Sequence, residues 1–327
     1  MSTASSSLLS GTDPALQTSV SGGLKLVEAR LREVVQSSNP MLTEAAAHLV
    51  DAGGKRFRPL LVLLAAHLGG GVSAEVVDAA VVVELTHQAT LYHDDVMDEA
   101  HVRRGVEAAN TRWTNTVAIL TGDYLFARAS DLTAGLGTEA THLQSRTFAR
   151  LVEGQIAETA GPAQGQDPVE HHLQVVADKT ASLISTSARL GALIAGADRT
   201  VVDTVAEYGE LIGIAFQLSD DLIDVLSDTA ESGKTPGTDL REGIATLPVL
   251  LAHDDAALMA VLAGDLSSDA ALGEALRTLR AHPALALARE RMSSYVERAR
   301  EVALSLPEGA ARQALVSLTD YVLARTG

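Results

Sequence analysis

Residues 73–98 read SAEVVDAAVVVELTHQATLYHDDVMD. Ser73 can cap a helix, and Glu75 in the first turn suits backbone N–H groups that have no intrahelical acceptor. The following residues are mostly Ala, Val and Leu, broken by Asp78 and Glu84, until three aspartates arrive at Asp94, Asp95 and Asp98. A helix this aliphatic belongs in a core. Positions four apart stand one above the other, so Asp94 and Asp98 share a face. Three like charges within a turn and a half destabilise a helix unless something positive meets them.

The ending recurs. DDVMD at 94–98 returns in type as DDLID at 220–224, and residues 85–92 and 211–219, which precede the two clusters, carry no formal charge. A single cluster reads more readily as a solvated acidic face. Two, each closing an apolar helix, need partners, because aspartates at the ends of buried helices are costly alone. Hard oxygen donors of this kind suit Mg²⁺, which keeps waters and is commonly held by a few carboxylates plus substrate phosphates.

Helical periodicity continues on both sides of these motifs. Residues 24–35 put Leu and Val on one face, and Asn39-Pro40 is a cap followed by proline at the first helical position, starting a helix that ends at Gly53-Gly54. Further helices are expected over 115–134, 138–159, 168–195 with room for a break near Lys179, 200–226, 245–253, 268–281, 283–305 and 309–325. No alternating run is bounded by Asn-Gly or Asp-Gly turns, so strand signals are essentially absent. Residues 161–167 and 227–243 are the polar connections. The expected fold is all-α, a single large helical domain over residues 22–327, with a Ser/Thr-rich flexible arm over residues 1–21 that lacks the features of a signal peptide.

Composition narrows the function classes. The 327 residues are 46% apolar but only 3% aromatic, which favours close-packed aliphatic helices. A net charge of −17 excludes a general nucleic-acid binder. There is no cysteine, hence no disulfide. No apolar run reaches the ~18 residues that span a bilayer, and a soluble protein is expected. Against the acidic background stand two basic groups. Gly53-Gly54-Lys55-Arg56-Phe57-Arg58-Pro59 places three cations beside flexible glycines, and Arg103-Arg104-Gly105 follows the first acidic cluster closely. Both suit phosphate, though a helix C-terminus or a surface ion pair also attracts such residues. His87 lies two turns before Asp94 on the same face.

Taken together, GGKRFRP from Gly53, HQATLYHDDVMDEAHVRRG from His87, DKTASL from Asp178, FQLSDDLIDV from Phe216 and GKTPGTDLREG from Gly233 resemble the trans-isoprenyl diphosphate synthase (polyprenyl synthetase) family, and its long-chain bacterial branch most. The resemblance runs from about Leu24 to Arg325. It implies a helical bundle of isoprenoid synthase type around a deep central cavity. It also implies head-to-tail condensation of isopentenyl diphosphate with an allylic diphosphate: ionisation, attack by the isopentenyl double bond, and proton loss to the departed diphosphate.

Residue by residue, the resemblance assigns Gly54, Lys55, Arg58, His87 and Arg104 to isopentenyl diphosphate. It assigns Arg103, Lys179, Thr180, Gln217 and Lys234 to the allylic diphosphate. Asp94, Asp98 and Asp220 become ligands of about three Mg²⁺ ions, with Asp95, Asp221 and Asp224 orienting bound water. One departure is Ile244, where many members carry lysine. A cytoplasmic homodimer serving quinone side-chain synthesis, menaquinone in particular, is implied, with no nucleic-acid partner and transient membrane contact for product release.

Product length is expected to be set along the helix before Asp94. The family's shorter-chain members put bulky aromatics four or five positions back; here those positions hold Thr90 and Ala89, with Thr86, Leu85 and Val82 deeper. From Ala89 back to Val76 at ~1.5 Å per residue is roughly 20 Å, room for about four isoprene units beyond the primer. A shorter-chain synthase, a terpene cyclase and a non-catalytic subunit of a two-component synthase are the alternatives. The cyclase has no need of the isopentenyl-side basic set, and a non-catalytic subunit would be expected to lose ligands that are intact here.

Overall fold

A computed structural model of the chain describes residues 12–226 and 236–325. They are almost entirely helical. Their contacts group into two compact units, the first formed by Met1–Ala149, Leu183–Gly209 and Ala303–Val316, the second by Arg150–Ser182, Glu210–Val302 and Ser317–Gly327.

In the first unit α1 spans Pro14–Val34, α2 Pro40–Asp51, α3 Phe57–Ala66 and α4 Ala74–Met97. α1 starts ten residues before the expected Leu24. Asp13 caps it by accepting from the N–H groups of Ala15 and Leu16, with Pro14 at the first helical position. Residues 1–11 of the expected arm lie outside the described residues. Asn39 and Ser73 cap α2 and α4 as their sequence suggests.

α4 packs against α1, α3 and α6 (Asn115–Gly135). Its residues are buried on every side, from Val76 through Val81, Val82 and Val83 to Tyr92, as a helix without a polar face must be. The Tyr92 hydroxyl donates to the Ala45 carbonyl of α2, and burial raises its pKa. α3, FRPLLVLLAA, was not expected from the sequence. All of it but Arg58 is buried, so it carries no amphipathic period to read.

After α4 comes a short antiparallel hairpin, β1 (Val102–Arg103) and β2 (Val106–Glu107), where no strand was expected. Its two-residue turn is Arg104-Gly105, both at positive φ, 54° and 78°, the geometry that matches strand twist in tight hairpins. α5 (Ala109–Arg112) and α6 follow. α7 covers Thr138–Ala160, and α8 (Pro168–Val176) runs into a π-turn at Ala177–Ala181, the expected break at Lys179, before α9 (Ser182–Ile194). α10 is Arg199–Leu226 and carries the second aspartate cluster. The remainder is α11 (Thr238–Arg241), α12 (Leu247–Leu250), α13 (Ala256–Leu262), α14 (Asp269–Ala281), α15 (Pro283–Leu304) and α16 (Ala310–Ala324).

One buried ion pair fixes the loop between α2 and α3. Arg56 sits at φ 49° with its side chain 5% exposed, bonded to Glu28 of α1 at 2.6 Å and Glu84 of α4 at 2.6 Å, and to the Val50 carbonyl at 2.9 Å. Left-handed backbone at a long side chain is strained, and these three contacts hold it. Arg56→Ala leaves Glu84, 2% exposed, without its nearest cation. Removing one member of such a pair costs about 3–5 kcal/mol, so the urea midpoint of this variant should fall sharply; an unchanged midpoint would show that the pair contributes nothing.

Candidate active site

The first aspartate cluster closes α4. Asp94 and Asp95 lie in its last turn and Asp98 is its C-cap, with the Asp98 N–H on the Asp94 carbonyl at 2.8 Å. Glu99 at φ 50° ends the helix, letting the Ala100 N–H reach the Asp95 carbonyl at 2.9 Å. Carboxylates here face the negative end of the helix dipole. Asp95 is fully buried, which raises its pKa, and Arg103 opposes that shift by donating from Nε to Oδ1 at 2.6 Å. Its Oδ2 is buried with no hydrogen-bond partner among the described residues. Asp94 is half-buried and Asp98 exposed.

The basic residues of the same unit come together beside it. Arg104 donates to the carbonyls of Leu49, at 3.0 Å, and Gly53, and lies 3.7 Å from Glu84. Its guanidinium covers Gly54, whose φ is 150°, and a Cβ there would meet Arg104 Cζ at 3.2 Å. Glycine is needed both for the backbone and for the contact. Lys55 is exposed and Arg58 half-buried. His87 is held well below its ordinary pKa by burial first, then by the positive charges of Arg58, Arg104, Arg56 and Arg103. The imidazole is therefore neutral at pH 7. Arg104 lies against Gly54, and His87 feels the charges of Arg58 and Arg104, while Lys55 is exposed. Sequence reading missed Arg56, Glu84 and Glu28, which hold the loop but face inward; nothing in GGKRFRP separates Arg56 from its two cationic neighbours.

The second unit holds the other set. Asp220 Oδ1 is bonded to Arg325, whose guanidinium also lies 4.4 Å over the Phe216 ring. Asp221 is buried and accepts from Gln217 Nε2 at 3.1 Å and from His172 Nε2 at 3.1 Å. Asp224 accepts from the N–H groups of Thr238 at 3.1 Å and Asp239 at 3.2 Å, so it caps α11. The Thr180 hydroxyl donates to Gln217 Oε1 at 3.1 Å. Lys179 is paired with Glu158 at 2.5 Å. Arg150 reaches both Asp178 and Glu210, bracketing the π-turn, and Gly154 lets α7 approach it: a Cβ there would meet the Lys179 backbone N at 2.8 Å. Lys234 lies outside the described residues. Ile244 is exposed.

Of the expected length-setting residues, Ala89, Leu85, Thr86 and Val82 are fully buried and Thr90 is half-buried. Thr86 donates to the Val82 carbonyl at 2.8 Å and accepts from Gln144 Nε2 at 2.6 Å. That second bond, from α7, is invisible in the sequence.

The donor chemistry fits a hard divalent cation. Asp94 and Asp98 offer reachable carboxylate oxygens and Asp95 Oδ2 keeps unused lone pairs. Among the described residues no three acidic, His or Cys side chains gather to hold a metal by themselves, so water or phosphate oxygens would have to complete the coordination.

The Polyprenyl synthetase family matches residues 39–279 of this chain. The chain belongs to the polyprenyl synthetase family. Among its relatives, nonaprenyl diphosphate synthase of Mycobacterium tuberculosis (strain ATCC 25618 / H37Rv) is 45% identical over 321 residues, covering 96% of each chain. The decaprenyl diphosphate synthase structure from Rhodobacter capsulatus superposes with a TM-score of 0.86 at 36% identity, over 96% of this chain and 99% of that one. A geranylgeranyl pyrophosphate synthase structure from Corynebacterium glutamicum, complexed with calcium and isoprenyl diphosphate, gives 0.86 at 40% identity, over 96% and 98%. These polyprenyl synthetases share the all-α fold with this chain, which is an enzyme of the prenyltransferase class.

The depressed His87 pKa sets a pH dependence. The unfolded chain takes up a proton below about 6.5, the ordinary histidine value, while the folded protein resists it. The contribution of His87 to stability is complete above that pH and declines as pH falls toward its folded value. Urea midpoints at pH 7.5 and 5.5 should therefore differ less in His87→Gln than in wild type; an equal drop in both would remove His87 as the source.

Proposed function

We propose that this polyprenyl synthetase condenses isopentenyl diphosphate head to tail onto an allylic diphosphate, making a long-chain all-trans polyprenyl diphosphate. The observation that carries the reading is the pairing, in one chain, of two aspartate-ended helices with a cationic Gly53–Pro59 loop beside His87. The long-chain relatives named above support the product class. A cytoplasmic homodimer supplying a quinone side chain, that of menaquinone in particular, completes the proposal.

Lys55, Arg58 and Arg104 bind the isopentenyl diphosphate, the arginines by guanidinium fork. His87, neutral and beside them, donates an N–H without adding charge. Asp94 and Asp98 would hold Mg²⁺, as would Asp220, and the ion would supply positive charge to the leaving diphosphate. Lys179 exchanges Glu158 for that diphosphate, joined by Arg103, Thr180, Gln217 and Lys234. Asp95 and Asp221, both buried, orient water around it. The chain's part is placement of two reactants and stabilisation of developing negative charge. The departed diphosphate takes the proton, and the aliphatic residues behind Asp94 keep water from the cation.

The direct test is incubation with isopentenyl and farnesyl diphosphates and Mg²⁺, followed by chromatographic sizing. Products well beyond C20 are expected. Arrest at C15 to C20 would favour a shorter-chain synthase. Absence of any product would overturn the proposal. Asp94→Ala or Asp220→Ala should lower turnover at least about a thousandfold, roughly 4 kcal/mol of barrier, with the fold retained by circular dichroism. Near-normal rates in either folded variant would dismiss the metal-binding assignment.

A length test follows from the burial of the α4 residues. A ring at the fully buried Ala89 costs about 1–3 kcal/mol by overpacking, whereas Thr90 is half-buried and takes the change more gently. Ala89→Phe and Thr90→Phe should both stop elongation near C15 to C20 while the first condensations continue. Val82→Phe, two turns deeper, should stop it later. Unchanged length in the active Thr90→Phe and Ala89→Phe enzymes would show that α4 does not measure the product.

A further inference from the structure

We infer that His172, which no motif contains, is a positioning residue for the second aspartate cluster, the anchor of a hydrogen-bonded chain running from Thr180 through Gln217 to Asp221. The inference rests on the prenyltransferase reading of that cluster.

The chain has three links, all inside the second unit. Thr180 Oγ1 donates to Gln217 Oε1, Gln217 Nε2 to Asp221 Oδ1, and His172 Nε2 meets Asp221 Oδ2, each at 3.1 Å. An ionised carboxylate only accepts, so Nε2 of His172 must carry the hydrogen. Each oxygen of Asp221 thereby accepts from one donor, in a side chain only 4% exposed, beside a histidine 16% exposed. A buried carboxylate pinned at both oxygens keeps one orientation. Its neighbour in sequence is Asp220.

The backbone is shaped to allow this. His172 lies in α8 and Thr180 in the π-turn that follows. Eight residues of uninterrupted α-helix would turn Thr180 about 80° away from His172. The wider π-turn takes much of that rotation back. His172 and Thr180 can then meet Asp221 and Gln217, which stand four residues apart on one face of α10. Such turns cluster at functional sites, and here the turn links Thr180, expected at the allylic diphosphate, through Gln217 to Asp221, expected to orient bound water. His172 touches neither ligand; it acts through Asp221, as outer partners of metal-site residues do.

The test compares His172→Phe, which keeps a ring and loses the donor, with His172→Gln, which keeps an N–H. Calorimetry with Mg²⁺ and inorganic diphosphate reads binding, and steady-state elongation reads catalysis. His172→Phe should weaken Mg²⁺–diphosphate binding and lower kcat each by about 10–100-fold, the usual range for loss of an outer partner. The KM for isopentenyl diphosphate should stay within about twofold, since that site uses other residues. His172→Gln should recover most of both losses. Wild-type binding and kcat in His172→Phe would overturn the inference. So would equal impairment of the two variants with equally lowered melting temperatures, which would make His172 a packing residue. If wild type itself elongates nothing, the activity reading fails, and the calorimetric comparison still decides whether His172 orients Asp221.

Discussion

Six aspartates crowd the carboxyl ends of two helices, and much of the rest answers that charge. The C-terminal end of a helix carries partial negative charge from its unpaired carbonyls, so each carboxylate placed there is disfavoured by about 0.3–1 kcal/mol before its neighbours are counted. Arg103 meets Asp95, Arg325 meets Asp220, and His172 with Gln217 meets Asp221. Asp224 is turned to use, capping α11 through the Thr238 and Asp239 N–H groups. What is left for a ligand is the exposed side of each cluster. Groups paired in this way are held in one orientation before anything binds.

The parts of this fold that follow local rules were legible in the sequence. Capping residues with proline or acid behind them marked the starts of α2 and α4 to the residue, and the Asp-rich ends identified α4 and α10. The parts decided by distant residues were not. α3 is apolar nearly all round and has no period to detect. α1 hides its start behind a Ser/Thr-rich segment, where Asp13-Pro14 was the available signal. The hairpin turn uses Arg104-Gly105, outside the usual Asn-Gly vocabulary, because Arg104 is tied to Leu49 and Gly53.

Within the candidate site the same division holds. The residue types and their order were readable, and the structure brings the isopentenyl-side set together in one unit. Which cation points inward was not readable. Lys55, Arg56 and Arg58 look alike in the sequence, yet Arg56 alone is claimed by Glu28 and Glu84, each 28 residues away. His172 and Gln144 were missed for a similar reason: neither belongs to a local pattern, and each earns its place through one bond across the fold, to Asp221 and Thr86.

Among the described residues the positive-φ residues other than glycine are Arg56, Glu99 and Arg104, and the π-turn holds Lys179 and Thr180. Each lies beside a residue expected at substrate or metal. Such backbone is costly and persists only where surrounding contacts overdetermine it. For three of these segments the contacts include ion pairs: Glu28 and Glu84 for Arg56, Glu84 again for Arg104, and the Arg150 pairs with Asp178 and Glu210 for the π-turn. An acidic protein of net charge −17 repels a diphosphate at long range. Screening confines that repulsion to about 8 Å at physiological salt, so binding is decided by the nearest charges. By spending Glu84 on Arg56 and Arg104 inside the fold, the chain fixes the loop that carries Lys55 and Arg58. The strained backbone and the buried ion pairs are therefore one device, and it holds a cationic loop in place within an acidic chain.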